Sequence, residues 1–210
     1  MFGLFKKKPA LPAQIDKVWK SEREKNDGII KDINQFVGQG QSVVLFYFFD
    51  QSRAALNGLL AERQLDFSED ITANKQLFLI NANDIDRSAA FASTMTDKFR
   101  KDVVKLFFAE HYPTKTLENI LIETLKDMSE EAISPVYYVS LEDKLMTTFG
   151  SERIIKVMES PIMGMKDGDC IEHKMVSQSI VNAQQKLESN VQNEVKCDSQ
   201  EEWFERNLPK

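Results

Sequence analysis

The stretch SVVLFYFF, Ser42 to Phe49, carries no charge and does not alternate apolar with polar positions. A strand with one face in water alternates. An unbroken run of β-branched and aromatic residues fits a strand covered on both faces, as in a parallel sheet flanked by helices. Before it, GQGQ (Gly38 to Gln41) supplies the glycines that end a helix or make a tight turn. After it, DQS leads into a helical pattern carrying Ala54, Ala55, Leu56, Leu59 and Leu60, and Asp50 or Ser52 can cap its free N–H groups.

Three further stretches repeat this design: KQLFLI (75–80), DVVKLFFAE (102–110) and PVYYVS (135–140). NANDIDRSAAFASTM reads as a loop and a helix. Pro113 closes a turn, and Thr116 can cap a helix carrying Leu117, Ile120, Leu121 and Leu125. Strand–helix alternation of this kind predicts a three-layer α/β domain with a mostly parallel sheet. Upstream, residues 14–37 read as a helix with Ile15, Val18, Trp19, Ile29, Ile30, Ile33 and Phe36 apolar, which Asn26, Asp27 and Gly28 can split.

The end of the last strand is densely punctuated. Ser140 and Asp143 form a weak capping box ahead of Leu141, Leu145, Met146 and Phe149. Gly150 permits a left-handed stop, and Ser151 can cap a turn bearing Ile154, Ile155, Val157 and Met158 before Pro161. The chain therefore divides into a flexible tail (1–13), an α/β domain (14–160), and a connector with a C-terminal helix (161–210). That helix, about 176–195, shows one apolar stripe through Val176, Ile180, Ala183, Leu187, Val191 and Val195. The stripe needs cover. Ile180, Ala183, Leu187 and Val191 are the candidate partner-binding residues, although folding back within one subunit is favoured over dimerisation. Trp203, Phe204 and Leu208 can anchor the last residues.

With 210 residues the chain can bury a real core, and a net charge of −6 disfavours a broad nucleic-acid surface. Cys170 and Cys197 have no paired spacing and read as free thiols of a reducing compartment. No apolar run reaches the length of a membrane span. MFGLFKKKPALP lacks the order of a signal peptide; at most, Phe2, Phe5, Lys6, Lys7 and Lys8 make weak contact with anionic lipid. The expected location is the cytoplasm.

Chemistry-bearing patterns are few. GQGQ is too short for a phosphate loop and leads into a strand rather than out of one. No GxSxG elbow occurs, and the only histidines are His111 and His173. His111, beside Glu110 at a strand end, is the one alternative catalytic candidate; His173 reads as a turn residue. Asp84 with Asp86, and Asp167 with Asp169, read as loop carboxylates. No metal or cofactor is expected.

PVYYVSLEDKLMTTFGSERI (135–154), MGMKDGDCIEHKMVSQSI (163–180) and NAQQKLES (182–189) resemble, in order and spacing, the SecA family of preprotein translocase motors. There these blocks run from the end of the second RecA-like lobe into the scaffold helix. VWKSEREKNDGIIKDI, GQGQSVVLFYFFDQSRAALNGLL, LINAND and AEHYPTKTLENIL resemble the same lobe more remotely. The likeness implies a degenerate RecA-like domain. Where the family has a glycine-rich nucleotide-sensing loop, this chain has FASTMTDKFRKD (91–102) without glycine. Where the family supplies arginines to the γ-phosphate, LIETLKDMSEEAIS (121–134) has none. The first lobe's phosphate loop is missing from this sequence. The expectation is a non-catalytic module that holds an unidentified protein partner in a role linked to secretion or protein handling. The alternatives are a small enzyme using His111 and Glu110, and a regulator that binds nucleotide without hydrolysis.

Overall fold

A computed structural model of the protein describes residues 14–87, 89–149, 151, 154–155 and 166–208. The tail residues Phe2, Phe5 and Lys6 to Lys8, the stop at Gly150, and Val157 with Met158 lie outside them. Among the described residues six strands, β1 (Ile15–Trp19), β2 (Ser42–Tyr47), β3 (Phe67–Ser68), β4 (Leu77–Asn81), β5 (Val104–Phe108) and β6 (Val136–Ser140), form one sheet. Its order is β1-β6-β5-β2-β4-β3, and every pairing between strands is parallel. The helices are α1 (Glu22–Gly38), α2 (Asp50–Glu62), α3 (Ala89–Lys101), α4 (Lys115–Asp127), α5 (Lys144–Phe149), α6 (Lys174–Glu188) and α7 (Gln200–Asn207), with a 3-10 segment at Ala82–Arg87.

Strand periodicity explains the three layers. Val43, Leu45 and Tyr47 of β2 join Leu77, Leu79, Phe107 and Tyr138 in a core beneath α1 and α2. Val44, Phe46 and Phe48 join Phe78, Ile80, Leu106, Phe108, Tyr137 and Val139 in a second core on the opposite face. An aromatic stack crosses that face from Phe46 to Phe108 (4.9 Å between centroids) and on to Tyr137 (4.6 Å). Both faces of β2 are buried, as the opening stretch requires.

The first helix expected from sequence is corrected. Residues 15–19 form the edge strand β1, paired along its length with β6, and α1 starts only at Glu22. Ser21 and Glu24 close a full capping box there. Asn26 to Gly28 do not split α1. A Cβ at Gly28 would lie 2.3 Å from the Trp19 ring, so the glycine admits the indole against the helix. That indole stacks on Tyr138 at 5.6 Å. At the far end, Gly40 has a φ of 77°, and Gln41 N donates to the Phe36 carbonyl, closing the helix as GQGQ predicts.

Cap assignments also shift. Phe49 occupies the N-cap of α2, and Thr114, not Thr116, that of α4, neither with a side-chain cap bond. Ser140 keeps half of the expected box: Asp143 accepts from its N–H at 2.9 Å, while its own hydroxyl accepts from Glu142 N at 3.0 Å. The short strand β3 has no counterpart among the stretches read from sequence.

The C-terminal helices pack on the domain. Ile180 and Leu187 of α6, each 2% exposed, belong to the same core as Phe46 and Tyr137, and Ala183 and Val191 pack against it. Trp203 and Phe204 of α7 are buried in that core too. Ile171 makes an antiparallel bridge with Val18, covering part of the free edge of β1. The helix ends at Glu188, short of the 195 expected.

Candidate functional site at the carboxyl edge of the sheet

Parallel α/β sheets bind ligands where the chain's crossovers diverge, outside the carboxyl ends of the strands. Here the divergence falls between β2, whose next partner along the chain is on the β4 side, and β5, which continues toward β6. A cavity of about 350 Å³ opens there, lined by Gln51 and Ser52 after β2, Glu110 after β5, Glu142 and Asp143 after β6, and Lys25 of α1.

Its buried polar side chains, Lys25, Glu110 and Gln200, are already engaged. Glu110 accepts from Phe48 N at 3.0 Å and from the Ser52 hydroxyl at 2.7 Å. Burial outweighs these bonds and pushes the Glu110 carboxyl up to about 7. Lys25 Nζ lies 3.1 Å from Asp143 and 2.7 Å from Glu22. Burial opposes its charge, but those carboxylates win and hold its ammonium above the ordinary lysine range. At the start of α2, Gln51 N donates to the Asp198 carbonyl at 3.0 Å. Gln200 of α7 bridges the same edge, accepting from Leu145 N at 2.9 Å and donating to the His111 carbonyl at 3.1 Å.

His111 and Glu110 are not brought together. The imidazole turns away from the cavity and stacks on Tyr137 at 4.3 Å. Its Nδ1 lies 2.8 Å from Glu118 of α4, and its Nε2 lies 3.1 Å from Asp16 of β1. Glu118 also accepts from Tyr112 N at 2.9 Å and from Lys115 Nζ at 2.8 Å. Burial works against the imidazolium, but the Glu118 and Asp16 carboxylates hold it up to about 9. For both carboxylates burial is likewise overcome, and both stay below their ordinary range. A doubly donating imidazolium has no lone pair to act as a base. His173 is exposed and caps α6 through Met175 N.

Sequence reading missed the partners of both residues. One signal was present: Glu118 shares the α4 face of Leu121, Ile122 and Leu125, so a carboxylate interrupts an apolar stripe. A second cavity, of about 560 Å³, lies beside α1 and is lined by both signs of charge, including Lys17, Lys31, Asp27 and Asp32. Among the described residues no group of His, Cys, Asp or Glu is arranged to hold a metal, and no helix is long and apolar enough to cross a membrane.

A three-layer parallel α/β domain is what these elements build. No family model matches the chain. Over 83% of its length, however, it is similar to a segment of protein translocase subunit SecA: 30% identical over 188 residues to that of Phocaeicola vulgatus and 30% over 191 residues to that of Bacteroides fragilis. The Helicobacter pylori (strain J99) protein is 29% identical over 187 residues. The chain covers 17% of the first two and 21% of the third, about a fifth of their length. The likeness seen over residues 135–189 thus extends to most of the chain. A solved structure of the C-terminal part of the Fun30 ATPase domain aligns with a TM-score of 0.44 at 12% identity, over 79% of this chain and 54% of that one.

Proposed function

We propose that this chain is a SecA-like module without ATPase activity of its own, acting in the cytoplasm as a protein-binding or accessory element of secretion or protein handling. The observation that carries this reading is that the buried polar groups of the carboxyl-edge cavity are already engaged. Glu110 takes the N–H of Phe48 and the hydroxyl of Ser52, and the Asp198 carbonyl takes Gln51 N at the start of α2. A nucleotide phosphate needs such donors free and positive charge beside them. Glu22, Glu110, Glu142, Asp143 and Glu201 line the cavity against only Lys25 and Lys144, and Lys25 is neutralised by Glu22 and Asp143. The enzyme alternative loses support from the separation of His111 and Glu110, and the nucleotide-binding regulator loses it from the same acidic lining.

The partner surface suggested by sequence also moves. Ile180 and Leu187 are covered by this chain itself, so a partner that meets the folded module meets other residues. The test is a phosphate-release assay with ATP and magnesium, run beside equilibrium binding of a fluorescent ATP analogue. Neither turnover nor saturable binding is expected. Turnover that co-purifies with the protein and disappears in Glu110→Gln would overturn the reading.

A further inference from the structure

The group His111, Asp16, Glu118 and Lys115 is buried and joins elements far apart in sequence. Asp16 belongs to β1, His111 to the loop after β5, and Lys115 and Glu118 to α4. The Asp16 and Glu118 side chains are 0% exposed and that of His111 is 2% exposed. Two carboxylates and two cations balance only while the imidazole keeps both protons. Without one of them, a buried carboxylate faces an acceptor instead of a donor. The group would then carry a net negative charge where water cannot solvate it.

What this group fastens is one edge of the sheet. Among the described residues, β1 pairs with β6 alone, and its other edge meets only Ile171, at Val18. Helix α6 lies over the same side: Gln184 donates to the Tyr112 carbonyl at 2.7 Å, and Glu188 accepts from Thr116 N at 3.3 Å. Tyr137 of β6 stacks on the imidazole, and Gln200 of α7 holds its carbonyl. By contrast β2 lies between two strands and both its faces are apolar.

We propose that His111 is a proton-operated latch that holds β1 and α6 against the sheet, so that its deprotonation opens this side locally while β2 and β4 stay folded. Opening at α6 uncovers Ile180 and Leu187, an apolar face that the closed domain hides. The sign follows from the groups involved. The imidazolium is held up to about 9, so the latch is complete below the ordinary histidine value of about 6.5 and is lost as pH rises through about 9. Asp16 and Glu118 are held low, so their contribution is lost only on acidification. Tyr112 and Tyr137 are held high, Tyr112 by burial and its bond to Glu194 and Tyr137 by burial, and stay neutral. Glu110 titrates in the same window, on the cavity side, and is the group to be controlled.

Hydrogen exchange of the intact chain at pH 6.5 and pH 9, corrected for the intrinsic chemical rate, tests this. The opening equilibrium of β1 and α6 amides should rise by about 100-fold, close to the limit of roughly 300-fold set by the difference between about 9 and about 6.5. β2 and β4 should stay better protected than β1 and α6 at both pH values, and Glu110→Gln should show the same pH-driven rise in β1 and α6 opening as the parent. His111→Gln should be open at both pH values; should it fail to fold, the imidazole resonance of the parent, titrating near 9, still decides. Equal protection of β1 at the two pH values, β1 as well protected as β2 at pH 9, or an imidazole titrating near 6.5 would overturn the latch.

Discussion

The centre of the sheet and its β1 edge are held by different physics. In β2 every residue is buried, and alternate side chains enter two separate apolar cores. β1 places charges on both faces. Asp16 points toward His111 on one side, and on the other Lys17 Nζ lies 2.7 Å from Asp32 of α1, which also accepts from the Tyr138 hydroxyl at 2.7 Å. Apolar cover is non-directional and fills whatever space packing leaves. Ion pairs are directional, and each depends on one partner. The centre should therefore fail as a whole, through volume, and the edge should fail one contact at a time, through charge.

The largest effect should come from the centre. Phe46 is 0% exposed and stacks on Phe108 at 4.9 Å. Phe46→Ala removes most of a ring from a packed interior and should cost about 3–5 kcal/mol. Urea unfolding should shift to a lower midpoint, with all strands losing hydrogen-exchange protection together. A cost under about 1 kcal/mol would mean that the second core repacks freely, and the contrast with the edge would collapse.

At the edge the expected loss is smaller and local. Lys17 is 21% and Asp32 12% exposed at the side chain, so the pair is neither fully screened nor fully desolvated. Lys17→Met leaves Asp32 with the Tyr138 hydroxyl as its remaining close donor and should cost about 2 kcal/mol, between the values for surface and buried pairs. The double variant Lys17→Met, Asp32→Leu should recover most of that loss, because no unpaired charge is left behind. Double-mutant-cycle unfolding, read beside exchange in β1, measures both. If the double variant is worse than the single one, packing rather than charge holds that face.

The same contrast explains what the sequence made legible. SVVLFYFF announces a doubly covered strand because burial on both faces leaves its mark at every position. The strands at 75–80, 102–110 and 135–140 carry similar marks, and the parallel α/β class follows from them. IDKVW does not. Asp16 and Lys17 occupy positions where a buried strand normally shows apolar side chains, and with Ile29 and Ile33 downstream the segment fits a helical period. Its strand identity rests on pairing with β6 across more than a hundred residues of chain and on partners no local pattern specifies. The candidate site follows suit. Glu110 and His111 stood out by position at a strand end, but their opposite orientations and their separate partners are tertiary facts.

The smallest predicted effect lies at the junction between the two regimes, where β1 hands over to α1. Ser21 accepts from Glu24 N at 3.2 Å, and Glu24 returns an acceptor to Ser21 N at 3.2 Å. These bonds satisfy backbone donors that the first helical turn cannot satisfy itself, so they are neither core packing nor a charge lock. Ser21→Ala should cost about 1 kcal/mol, while Ser21→Asp, which keeps an acceptor and adds negative charge at the positive end of the helix, should cost less than half as much. Glu24 has a second tie, accepting from Gly168 N at 3.1 Å, so its carboxylate stays in place when the serine is lost. The loss should therefore appear as faster exchange in the first turn of α1, with β1 and β6 still protected. If Ser21→Ala instead loosens β1 as much as Lys17→Met does, the cap belongs to the edge, and β1 with the start of α1 opens as one unit.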